Sequence, residues 1–86
     1  MTAEQIIAGV KAKDRLTTEY LYKKYSKALY TVVCRIISNK QIAEEVFHDS
    51  FINITRKIQS EYVHDGHFYT WMANICRKFA KEKNKS

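Results

Sequence analysis

The sequence has no proline and only two glycines among 86 residues. Proline removes a backbone donor and clashes with the preceding turn, and an interior glycine costs a helix about 1 kcal/mol relative to alanine. Almost nothing here interrupts long helices. Apolar runs of bilayer length are also missing: Glu4 interrupts the first segment, MTAEQIIAGVK, and Lys11 closes it, so neither a signal peptide nor a membrane span fits and no membrane insertion is expected. The chain reads as soluble and cytoplasmic. Cysteine is scarce, and Cys34 and Cys76 both lie in apolar helical patterns, which predicts two buried free thiols in a reducing compartment rather than a disulfide.

Chemistry-bearing patterns are absent too. His48, His64 and His67 are the only histidines, and no pair of ligand-type residues has the C-x-x-C or H-x-x-x-H spacing that sets two ligands together on a regular element. There is no glycine-rich phosphate loop, and no exposed nucleophile beside a base is evident. No metal, no cofactor and no enzymatic activity are expected. A metal-dependent enzyme built on the three histidines is the least favoured of three functional readings.

What is present is a hydrophobic fraction of 45%, with 13% aromatic residues. A chain this short buries only about 60% of its unfolded surface and has room for one core. We expect an all-α fold, a single domain over residues 1–86: a compact bundle of about four helices, with a short N-terminal helix, two long antiparallel helices, a loop and a basic C-terminal helix.

The third helix is the best specified. Over Asn39 to Ile58, Ser38 or Asn39 can cap the first amides, Gln41 stands in capping-box spacing from Ser38, and Arg56 and Lys57 suit the negative end of the dipole. Ile42, Val46, Phe47, Phe51, Ile54 and Ile58 form one apolar stripe, and Glu44, Glu45, His48 and Asp49 occupy another face. Before it, Thr2 to Lys11 reads as a short helix with Thr2 and Gln5 in capping-box spacing, and Asp14 caps a second helix running to about Ile37 with Leu16, Tyr20, Leu21, Leu29, Val32 and Val33 on its stripe. Gln59 to His67 breaks the pattern as a loop holding Gly66. From Phe68 a fourth helix places Phe68, Trp71, Met72, Ile75 and Phe79 inward and Asn74, Arg77, Lys78 and Lys81 outward, with Lys81 to Ser86 expected to fray.

Charge is divided along the chain. The net charge is +6, yet residues 41–67 carry a net −3 between basic segments at 20–40 and 68–86. The basic segments suit a polyanion, and the acidic one needs a different, basic partner or is simply solvated. Cations beside rings are what single-stranded nucleic acid asks for, and Tyr62, Tyr69 and Lys78 are the candidates once Phe68, Trp71 and Phe79 are given to the core.

The succession LYKKYSKALY, IAEEVFHDSFINI, a loop ending in Gly66, and FYTWMANICRKFAK resembles region two of bacterial sigma factors of the sigma-70 family, most closely the extracytoplasmic-function (ECF) group. The similarity covers Asp14 to Lys81, and AEEVFHDSF and FYTWM with the following isoleucine are its most specific parts. The resemblance implies docking on the beta-prime clamp helices of RNA polymerase core and recognition and melting of the promoter minus-ten element through the unpaired non-template strand. It places Glu45, His48 and Asp49 at the clamp contact, Leu21 and Tyr62 at the pocket for a flipped base, and Tyr69, Asn74, Lys78 and Lys81 toward the promoter strand.

Two positions depart from the family pattern: His48 stands for a glutamine, and Lys78 for an asparagine that bonds DNA in many members. Phosphate contact is then favoured over base reading at Lys78. The helix-turn-helix region four has no counterpart in these residues, so the chain reads as an excised domain or a naturally shortened protein, the first being favoured; an anti-sigma factor is a further possible partner that no residue here supports. The alternative reading is a sigma-like helical module that binds only protein, without DNA.

Overall fold

The computed structural model describes residues 1–85, which form four α-helices: α1 (Ala3–Lys11), α2 (Arg15–Cys34), α3 (Lys40–Ser60) and α4 (Phe68–Asn84). Helix α3 lies at the centre, packed on α1, α2 and α4, and α2 in turn packs on α1 and α4. The all-α bundle read from the sequence is the observed fold. No helix is long and apolar enough to cross a membrane.

Each of the first three helices is capped from its own sequence. Thr2 Oγ1 accepts from the Gln5 amide at 3.2 Å while Gln5 Oε1 accepts from the Thr2 amide at 2.9 Å, so the capping box is complete. Asp14 Oδ2 accepts from the Thr17 amide at 3.2 Å and from the Thr17 hydroxyl. At α3 the cap is Asn39, whose Oδ1 accepts from the Ile42 amide at 3.0 Å; the Ser38–Gln41 box allowed by the spacing is not the cap used. Helix α4 starts at His67 without a side-chain cap.

The link between α1 and α2 is only Ala12, Lys13 and Asp14. Asp14 N–H donates to the Gly9 carbonyl and Lys13 N–H to the Val10 carbonyl, both at 2.9 Å, with Lys13 left-handed at φ 60°: a Schellman closure. Glycine is the usual residue at that position, so the lysine there gave no warning. Gly9 has another duty. A Cβ on it would collide with the Cβ, Oγ1 and Cγ2 of Thr17, so the missing side chain lets α1 and α2 cross closely.

The core contains Ile6, Val10, Leu21, Leu29, Val33, Ile54, Ile58, Met72 and Cys76, all fully buried. Several expectations are corrected. Helix α2 ends at Cys34 rather than Ile37, because the chain turns there and drives Ile37 into the core on a separate segment. Leu16, expected on the buried stripe, is 68% exposed, since the α1 crossing selects its neighbour Thr17 instead. Cys34 is exposed; only Cys76 is buried, and both are free thiols. Helix α4 continues to Asn84 through lysines expected to fray, while Ser86, the last of that stretch, lies outside the described residues.

Candidate functional site: an acidic helix face and an aromatic cleft

Burying Val46, Phe47, Ser50, Ile54 and Ile58 turns the opposite side of α3 outward. Glu44, Glu45, His48 and Asp49 are all exposed there, and with Gln41 they line a shallow depression of about 540 Å³. The ion pairs among the described residues are Arg15–Glu19, Lys57–Glu61, His64–Glu4 and His67–Asp65, so none neutralises this face. Three carboxylates without an ion pair on one exposed face suit a basic partner. Beside them, Tyr22, Ser26, Lys27 and Tyr30 of α2 line a groove with Glu44, Phe47 and His48. The Cys34 hydrogen bond first, then burial and the charge of Glu44, hold the Tyr30 phenol above its ordinary range. Asp49 also lines depressions shared with Phe79 and with Glu82 and Lys83 of α4. The acidic face therefore meets the end of α4 along one edge instead of being wholly opposed to it.

The second feature is a cleft of about 470 Å³ where α3 ends and α4 begins, lined by Tyr62, Trp71, Thr70, Asn74 and the charged groups of the connecting loop. Gly66, at φ 91° with nothing within 4 Å of where a Cβ would stand, is there for its left-handed backbone rather than for space. Tyr62 is turned inward: its N–H donates to the Lys57 carbonyl at 2.8 Å, its ring lies 4.2 Å from that of Trp71, and it is 6% exposed. Burial first, and Asp65 second, raise its phenol pKa.

The residues assigned by resemblance are thus dispersed in depth. Tyr69, Asn74, Lys78 and Lys81 are exposed along α4, with Tyr69 stacked near Tyr25 at 6.3 Å. Tyr62 is a buried ring that walls the cleft. Leu21 is corrected: at 0% exposure it is a core side chain and offers no surface to a base. Trp71, Thr70 and Lys57 also line the cleft, although nothing in the sequence singles them out for it; the helical spacing of Trp71 matches the apolar stripe and assigns it wholly to the core. His48 is on α3, away from the loop histidines, and among the described residues no group of three His, Cys, Asp or Glu side chains is placed to hold a metal ion.

The chain is similar to part of a bacterial sigma factor. It is 27% identical over 78 residues to the RNA polymerase sigma-H factor of Pseudomonas aeruginosa, a match covering 91% of this chain and 40% of that protein. This supports a relationship to the sigma factors, while the chain spans well under half the length of its relative. No family model matches it, and no solved structure matches significantly.

Proposed function

We propose that the chain is a sigma region-two-type domain that joins RNA polymerase core to promoter DNA in the cytoplasm and catalyses no bond change. Its acidic α3 face, with Glu45, His48 and Asp49 at the centre, docks on the clamp helices, where arginines meet the carboxylates in charge-assisted contacts. The basic side of α4, with Tyr69, Asn74, Lys78 and Lys81, follows the non-template strand of the minus-ten element. Opening is favoured because the single-stranded form is bound selectively, which shifts an equilibrium. The acidic face, whose carboxylates make no ion pair among the described residues, is the observation that carries this reading, because it suits a basic partner.

The test is binding of a fluorescent single-stranded minus-ten oligonucleotide and its duplex to the chain with polymerase core present. Preference for the single strand, falling steeply with salt, supports the reading. Equal and salt-insensitive binding sinks it. A second reading, a sigma-like module held by polymerase or an anti-sigma factor without DNA, is favoured by the burial of Leu21, which withdraws one of the residues a base pocket would use. It predicts polymerase or anti-sigma binding that survives Tyr62→Ala and Lys78→Ala without loss, and no promoter-specific DNA contact.

A further inference from the structure

Few contacts hold the segment between α3 and α4. Tyr62 N–H donates to the Lys57 carbonyl at 2.8 Å and His67 N–H to Asp65 Oδ1 at 3.1 Å, Val63 is 82% exposed, and α4 begins without a side-chain cap. One side chain carries the segment across to another helix. The His64 imidazole, only 21% exposed, has Nδ1 3.0 Å from the Tyr62 hydroxyl and Nε2 3.4 Å from Glu4 Oε1 on α1, and it stands edge-on to Phe68 in the first turn of α4 with the ring centres 6.4 Å apart.

An ionised carboxylate only accepts, whereas a phenol can donate or accept. The neutral ring therefore satisfies both neighbours in one form: Nε2 carries its hydrogen toward Glu4, and Nδ1 accepts from Tyr62. A second proton can enter only at Nδ1. Tyr62 must then accept from Nδ1–H, and its own hydrogen turns toward the cleft it lines, where the charge of Asp65 acts on the phenol. The ring is now a cation 3.4 Å from Glu4, an attraction the neutral form lacks. The other charged groups nearby face one another: His67 lies 3.5 Å from Asp65 within the segment and Lys57 3.8 Å from Glu61 at the end of α3, while α4 presents the uncharged ring of Phe68.

We propose that Glu4, His64 and Tyr62 form a proton-operated latch between α1 and the segment 61–67. A proton taken up at Nδ1 draws the segment onto α1 and steadies the first turn of α4; its release loosens both. The device concerns the chain's own motion and does not depend on which partners its two faces serve.

The test is native-state amide exchange, followed by NMR on the 86-residue chain at about pH 5.5 and about pH 8, either side of the range in which histidine charge ordinarily changes. The probes are the amides of Tyr62 and His67 and that of Trp71, which donates to the His67 carbonyl at 3.0 Å. Their protection, corrected for intrinsic exchange and divided by that of Leu29 in the core, is expected to be about two- to fivefold greater at the lower pH, the worth of a partly exposed ion pair. Glu4→Gln removes this response and Glu4→Lys reverses it, whereas His67→Gln, which deletes the other histidine of the segment, leaves it in place. Glu4 and His67 are exposed, so these variants are expected to fold, with thermal unfolding as the check; the isosteric Glu4→Gln decides if the lysine variant does not. Ring nitrogen shifts of His64 at about pH 8 are expected to show hydrogen on Nε2. No pH response in the wild type, a response that survives Glu4→Gln or disappears in His67→Gln, or hydrogen on Nδ1 in the neutral ring overturns the latch.

Discussion

The hydroxyl of Tyr62 lies 3.0 Å from Nδ1 of His64, and the other nitrogen of that imidazole lies 3.4 Å from Glu4 on α1. The loop before α4 is thereby tied through one side chain to the first helix, and the Tyr62 ring is held between Phe68 and Trp71.

Tyr62→Phe removes the hydrogen bond but keeps the ring, and is expected to cost about 1 kcal/mol. Tyr62→Ala also removes the buried ring and is expected to cost about 3 kcal/mol or more. Urea unfolding followed by tryptophan fluorescence checks both, because Trp71 is the only tryptophan and touches the substituted ring. Equal stability of the two variants would mean that the ring is not packed as described.

Gly9→Ala reverses the usual sign of a helical substitution. Propensity alone favours alanine by about 1 kcal/mol. The added Cβ meets the β-branched Thr17, which is buried and bonded to Asp14 and so has little freedom to retreat. Overpacking of this kind costs about 1–3 kcal/mol, so a net loss of stability in thermal unfolding is expected. A raised midpoint would contradict the close helix crossing.

The two thiols should differ sharply. Cys34 is exposed and is expected to be alkylated in the native protein at about pH 8, with Cys76 modified only on unfolding. Burial pushes the Cys76 thiol up from 9.0 to about 11, partly offset by Ser50 and Arg77. The native state thus holds this proton more tightly than the unfolded chain. Its contribution to stability is complete below pH 9 and is lost as pH rises toward about 11. Denaturation midpoints measured across that window should fall less in Cys76→Ala than in the native chain; identical slopes would remove the thiol from the account.

Charge reversal at Glu45 and Asp49 separates folding from docking. Both side chains are exposed and make no ion pair among the described residues, so Glu45→Lys with Asp49→Lys should leave thermal stability within about 0.5 kcal/mol. Binding to polymerase core is expected to fall at least about tenfold, since like charges facing a basic partner cost several kcal/mol. Retained affinity in a pull-down or anisotropy titration would move the docking surface elsewhere.

Much of the fold was legible because it is encoded locally. Thr2 and Asp14 cap where their spacing says, and the stripe of α3 turns its acids outward by helical period alone. The surface position of the candidate residues was legible too: Glu45, His48, Asp49, Tyr69, Asn74, Lys78 and Lys81 are exposed on regular helices, as their helical period predicts. Leu21 was misplaced, and the depth of Tyr62 missed, for a common reason. A sequence gives the direction of a side chain around its own helix but not which neighbour covers that direction, and it does not say that a loop ring folds back onto Trp71.

The sequence by itself determined four helices, the caps at Thr2 and Asp14 and an uneven charge, since these depend on residues close together along the chain. Tertiary structure alone decided that Thr17 rather than Leu16 meets α1, that Cys34 stays outside while Cys76 does not, and that Tyr62 becomes a wall of a cleft. Those outcomes depend on how closely neighbouring elements approach, and that is set by contacts across a turn or loop, Gly9 against Thr17 and Tyr62 against Trp71, which no single helix's period encodes.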